Sequence, residues 1–465
     1  MNQTPSRLLP LLLAIAIFMQ MLDATILNTA LPKIAEDLHE SPLHMQSAII
    51  AYALTLAIMM PLSGFLSDKI GTRRLFLSSL VLFVLGSLLC AASGSLNMLV
   101  ISRIIQGMGG AMLTPVARLV MMRAYDKSQL FNVMNFAVMP ALIGPVLGPV
   151  VGGYLVDYAS WHWIFLLNIP IGLIGVAFAW KVMPEFKETE SHFDGVGFFL
   201  FAAAAFCLSA AFEVMSHPNA HLFSLLMAFS GGLALIAYWY HAKKYESPLY
   251  GLDLFLVRTF RLGLIGNLVS RLGMSALPFL LPLLLQVAFG YQASTAGWLL
   301  TPLALASLVT KSVIKPIMSR FGYRNTLVVN TCLIGLLIMS LALITAQTPL
   351  WILIILLSLM GAANSLQFTA MNTITIADLR DNQASSGSSL MGVNQQLSIS
   401  FGIAIGALLL QTFSTAAIAA DDISVAFKIS FMIMGLLTML SAWVFARLHT
   451  HDGQNLVHKN QQKNT

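Results

Sequence analysis

The sequence predicts an all-α polytopic membrane protein, on three observations. Hydrophobic residues make up 57% of the 465-residue chain and charged residues only 9%, where about a quarter would be charged in a soluble domain. Mean hydropathy is +0.81. The apolar runs recur at about 20 residues and are continuous rather than alternating, which fits helices crossing a ~30 Å hydrocarbon core and not an outer-membrane barrel. Lysine and arginine fall on every second connector, the pattern of a chain threaded back and forth through a bilayer.

Taken in order, about fourteen runs satisfy the spanning length. They lie near 8–30, 44–65, 75–93, 96–120, 131–156 and 163–183, then 195–214 and 221–240. Six more follow near 260–287, 294–315, 325–346, 350–372, 386–412 and 425–447. This predicts a six-helix bundle over 1–190, two linker helices over 191–245, a second six-helix bundle over 246–448 and a polar cytoplasmic tail over 449–465. Arg7 precedes an apolar run too long for a secretory leader, so the first run reads as an uncleaved span. The basic connectors include Lys69, Arg73 and Arg74, then Arg123, Lys181, Lys243, Arg320 and Arg380, against Lys33 and Lys428 on the other side. That asymmetry puts both termini in the cytoplasm.

Several function classes are excluded. The net charge of +6 is dispersed over short connectors, so no nucleic-acid partner is expected. Cys90, Cys207 and Cys332 each fall inside an apolar run with no metal-ligand spacing and read as packing residues. With no catalytic constellation and no phosphate-cradling loop, neither an enzyme nor ATP-driven transport is expected. No cofactor, no metal and no obligate partner are expected; the lipid bilayer, a small-molecule substrate and the proton are.

The fourth run places Arg103 inside hydrocarbon, ahead of Gln106-Gly107-Met108-Gly109-Gly110. A guanidinium there costs about 2.5–3.5 kcal/mol on insertion scales, so it should face a polar pathway or an acid; snorkelling to the surface is the plainer alternative. Asp23, in the first run, and Arg103 both lie about seven residues from the outer end of their helices, roughly 10 Å deep. They are a candidate pair, or occupants of one aqueous cavity. A static salt bridge and an acid that takes up and releases a proton both remain open here.

The loop from Gly64 to Arg74, with Asp68, Gly71 and Arg73, combines turn residues, one acid and three bases. Topology accounts for the bases alone; Asp68 points to a charged clasp on the cytoplasmic side. Ser319–Arg324 echoes this loop in the second half, as a parallel six-helix repeat would require. In the fifth run Gly144, Gly148 and Gly152 form a bare stripe, with Gly153 beside it, while Pro145 and Pro149 loosen the helix so that it can bend. Asn28, Gln106, Arg271, Gln367 and Gln396 are the candidates for lining a substrate cavity. Trp161-His162-Trp163 reads as an interfacial anchor.

These motifs together resemble the major facilitator superfamily, and more narrowly its fourteen-helix drug:proton antiporters of the EmrB/QacA type. Leu22–Pro32 is similar to that subfamily's first-helix motif, and Gly64–Arg74 to the superfamily's inter-helix loop, departing from it at Thr72, where a base is usual. Arg103 with Gln106-Gly107 matches the fourth-helix motif, and Gly144, Gly148, Pro149, Gly152 and Gly153 the fifth-helix signature of exporters. Trp161–Pro170 is also similar, with His162 where arginine is common. The resemblance implies a major facilitator fold and proton-coupled export of drugs or other amphiphiles across a bacterial inner membrane. The buried charges leave an alternative open. With Asp23 set against Arg103, the remaining cavity charge is Arg271, which would suit an organic anion or a metal-carboxylate metabolite. A non-transporting sensor and an uptake symporter are the lesser alternatives.

Overall fold

The computed structural model describes residues 8–188, 193–215, 220–415 and 422–453. The readings placed on Arg7 and on the tail beyond residue 453 lie outside the described residues. Among those residues the chain is helical with no strand, and 12 helices are long and apolar enough to cross a membrane.

The first nine helices are α1 (Leu9–Ile26), α2 (Leu31–Asp37), α3 (Gln46–Met59), α4 (Leu62–Ile70), α5 (Thr72–Ala91), α6 (Leu96–Ala124), α7 (Lys127–Tyr158), α8 (His162–Leu166) and α9 (Asn168–Val182). Then come α10 (Gly195–Met215), α11 (His221–Lys244), α12 (Arg258–Met274), α13 (Leu277–Leu283), α14 (Ala293–Ser340), α15 (Leu350–Ile376), α16 (Asp381–Thr415) and α17 (Ile423–Ala446). Boundaries follow local chemistry. Ser95 starts α6 by accepting from the Met98 amide at 3.3 Å, and Asp422 starts α17 by accepting from the Ser424 amide at 2.8 Å, each satisfying an amide the helix cannot.

Two expected spans are interrupted. The second breaks at Met60–Pro61 into α3 and α4, because proline cannot donate to the preceding turn. The ninth breaks at Ser275–Ala276, ahead of Leu277-Pro278, into α12 and α13. Conversely, α14 joins the tenth and eleventh expected spans through Gly322, whose φ of 73° is not helical. Gly71, between α4 and α5, has φ of 96°. The two basic loops that echo one another in sequence therefore both turn on a glycine in the left-handed region, where a side chain is strained.

The helices form two compact units. One gathers Met1–Phe193 with Gly290–Trp298; the other gathers Asp194–Phe289 with Leu299–Thr465. The core of the first is a cluster around Phe76, Leu80, Phe83, Leu113 and Val116, packed on α1. In the second, Leu327, Met371, Ile374 and Phe445 pack together. The linker helices α10 and α11 lie within the second unit. Ser209 of α10 meets Ser400 of α16 at 2.8 Å, and the Tyr250 hydroxyl lies 3.3 Å from Ser389.

Candidate functional site

Asp23 sits on α1, and Arg103 and Gln106 lie one turn apart on α6, so both reach toward the same neighbour. Arg103 Nη1 donates to Asp23 Oδ2 at 2.7 Å. Asp23 Oδ1 accepts from Gln106 Nε2 and from Asn168 Nδ2, each at 2.8 Å. Gln106 also accepts from Arg103 Nη1 at 2.6 Å and donates to Ser87 Oγ at 2.8 Å. Gly86 permits this, since a Cβ there would lie 2.5 Å from the Gln106 backbone; without one, α5 packs directly on α6. The Tyr52 ring stacks on the guanidinium at 4.0 Å, within the range of a cation–π contact.

The side chains of Arg103 and Asp23 are 1% and 0% exposed. Of the two readings, the direct pair is the one seen: both side chains are sealed from solvent, and a cage of donors takes the place of water. That is the physical requirement for a charged pair in a low-dielectric interior, where Coulomb attraction alone does not offset desolvation. Asn168, Ser87 and Tyr52 went unassigned in the sequence. Asn168 stands out as a polar residue in the apolar run after Trp161, whereas nothing in the sequence marks Ser87.

The Gly64–Arg74 loop is held from outside itself. Asp68 accepts from Arg123, at the end of α6, at 3.2 Å, and the same guanidinium donates to Glu188 at 2.7 Å. Burial first, and the like charge of Glu188 second, push the Asp68 carboxyl up from its usual range, with Arg123 pulling it back. Thr72 donates to the Pro184 carbonyl and accepts from the Phe186 amide, both at 2.9 Å, while its own amide donates to Phe186 O at 3.0 Å. A neutral hydroxyl thus makes a contact that a base could not make with both groups. Arg73 donates to the Trp180 carbonyl and lies over its ring. Arg74 is exposed, and Gly64 has open space around it.

Helix α7 runs unbroken through Pro145 and Pro149. A Cβ at Gly144 would meet the Leu22 backbone, one at Gly148 the Thr25 hydroxyl, and one at Gly152 the Ile26 carbonyl. The stripe therefore presses α7 onto the half-turns of α1 on either side of Asp23. Thr29 Oγ1 donates to Pro149 O at 3.2 Å; this carbonyl acceptor lies on the stretch of α7 that carries the prolines. Gly153 faces a different neighbour, Ala293.

The remaining candidates do not join this cluster. Asn28 is buried on the short 3-10 turn after α1. Arg271 is 8% exposed, donates from Nε to Asn267 Oδ1 at 2.5 Å and lies over the Phe368 ring. Its Nη2 has no hydrogen-bond partner, and no acid pairs with it among the described residues. Gln367 accepts from Asn330 at 2.8 Å and donates to Thr331 at 2.6 Å, so it joins α15 to α14. Gln396 is partly exposed on α16. Trp161 corrects the anchor reading. It is 2% exposed and donates to Asp37 at 2.8 Å, while Trp163 is exposed. Among the described residues no cluster of side chains has metal-ligating geometry.

The profile of the Major Facilitator Superfamily matches residues 13–267 and again 263–464. The chain belongs to the major facilitator superfamily. Relatives named multidrug resistance protein MdtD, from Pectobacterium atrosepticum and from Salmonella typhi, are each 42% identical to it. The first match covers 94% of each chain and the second 96% of each. Among solved structures, a D-xylose-proton symporter superposes with a TM-score of 0.70, covering 96% of this chain and 98% of the symporter. The nucleoside transporter NupG superposes at 0.66, covering 94% and 98%, both at 14% identity. That likeness fixes the fold of this major facilitator chain, a multi-pass membrane transporter.

Proposed function

We propose that this transporter exports drugs and other amphiphilic small molecules across a bacterial inner membrane by alternating access, in exchange for protons. The observation that carries the reading is the Asp23–Arg103 pair, desolvated and enclosed by Gln106 and Asn168. Each member of such a pair holds the other's charge. A movement that draws α1 away from α6 would leave a carboxylate in a low-dielectric interior, and taking a proton is the cheaper outcome for it. Closing again returns the proton. The glycine stripe of α7 against α1 supports a sliding or rocking partner for that movement. About fourteen crossings follow if the run 293–343, far longer than one ~30 Å crossing needs, turns back at Gly322, and if α7 crosses once. Both termini are then cytoplasmic.

The names of the 42%-identical relatives favour drugs as cargo. A second reading, export of an organic anion or its metal complex, is favoured by Arg271, whose Nη2 is buried and unpartnered, with no acid paired to it among the described residues. Proteoliposomes separate the two. A cationic dye and a labelled tricarboxylate are each followed with and without an imposed proton gradient. Gradient-driven dye movement with counterflow of protons supports the first reading. Proton flux with neither cargo, under any gradient, rejects both.

A further inference from the structure

We propose that Asp157 is a positioning residue that fastens the first turn of α14 to the end of α7, and that the transport cycle works by making and breaking this contact. The Ala296 amide donates to Gln292 O at 3.0 Å, so helical bonding begins at Gln292. The amides of a first turn have no acceptor in their own helix. Gln292 is a poor cap by residue type. The Ser294 amide is instead accepted by Asp157 Oδ2, at 2.7 Å and 137 residues away in sequence. A carboxylate at that end of a helix also meets the positive pole of the backbone dipole.

The surrounding contacts hold the acid in register. A Cβ on Gly153 would strike the Ala293 carbonyl, and one on Gly297 the Pro149 carbonyl, so the two backbones touch with no side chain between them. One position along, Trp298 Nε1 donates to the Tyr154 hydroxyl at 3.2 Å. Gly153, Tyr154 and Asp157 on one helix thus mate with Ala293, Ser294, Gly297 and Trp298 on the other. Of these contacts, the one made by Asp157 is charge-assisted. Asp157 is also exposed, so water replaces the amide when the contact opens, and release leaves no buried charge behind. The sealed Asp23 lacks that property. This inference rests on the alternating-access reading for the meaning of release; the contact itself is measured without transport.

The test is amide hydrogen exchange of the full chain in lipid nanodiscs, read on peptides covering Gly290–Trp298, with gradient-driven dye export measured on the same variants. Asp157→Asn keeps an acceptor oxygen, while Asp157→Ala removes it. Asp157→Ala is expected to speed exchange of these peptides about five- to tenfold and to lower export several-fold, with Asp157→Asn restoring both to near wild type. Unchanged exchange in Asp157→Ala overturns the proposal, as does equally fast exchange in both variants or faster exchange with wild-type export. Should Asp157→Ala fail to fold, Ser294→Pro removes the donor within the first turn, where its amide has no acceptor in its own helix to lose, with the same export loss expected and unchanged export overturning the proposal. Wild-type protein that exports no dye while exchange follows the expected pattern would reject the dye-export reading and leave the fastening in place.

Discussion

Arg103 Nη1 lies 2.7 Å from Asp23 Oδ2, joining two residues that are 80 positions apart in the chain. Both are enclosed, and Gln106 holds each of them by a separate end of its amide. A contact of this kind stabilises the fold only while it is complete. Its members must therefore respond asymmetrically to substitution.

Asp23→Asn is expected to insert and fold yet to lose gradient-driven export, because the amide cannot carry a proton at any accessible pH. Transport at the wild-type rate in proteoliposomes would remove Asp23 as the carrier.

Removing only the base should be worse for stability. Arg103→Ala leaves a buried carboxylate without its counter-charge, at a cost of about 3–5 kcal/mol. Adding Asp23→Asn to it should recover part of that loss, and thermal unfolding in detergent around a double-mutant cycle reads the coupling.

The glycines should sort by their neighbours. Gly152→Ala drives a methyl into the Ile26 carbonyl, a backbone atom that cannot rotate aside, and should lower both stability and export several-fold. Gly64→Ala, which meets nothing within 4 Å, should leave both near wild type. Melting temperature and initial export rate, measured side by side, check the pair.

Thr72→Val is close in volume but strips the Phe186 amide and the Pro184 carbonyl of their side-chain partner. Two contacts at about 1 kcal/mol each should show as faster proteolysis of the segment after α9.

The Asp68 carboxyl is raised, by burial and then by Glu188. The ordered loop therefore binds the proton more tightly than the released loop does. Protection of Gly64–Arg74 against exchange, corrected for intrinsic rates, should accordingly be greatest below the free aspartate range and decline as pH rises through the elevated value. Glu188→Gln removes the second cause and should move the decline to lower pH.

Arg271→Ala separates the two cargo readings. It should spare dye export and abolish movement of a tricarboxylate if the anion reading holds, since the unpartnered Nη2 is the group that would meet the carboxylate.

Much of this molecule was legible in the amino-acid order because lipid imposes a length and a polarity on each crossing. Spans, the alternation of basic connectors, and the cost of Arg103 and Asp23 in hydrocarbon are local properties, readable from run length and residue type. Which donors close around the acid was not local. Gln106 of α6 and Asn168 of α9 both donate to it, Ser87 of α5 accepts from both of those amides, and packing through Gly86 brings α5 onto α6. The same holds for Trp161, whose residue type suits a membrane interface but whose indole is drawn inward by Asp37. Thr72 and Asp157 are ordinary in sequence, and they gain meaning from amides that a distant segment leaves unpaired. Burial charges of a helix can be read along the chain; the partner that neutralises each one is chosen by helix–helix approach, which the order of residues permits but only the folded arrangement selects.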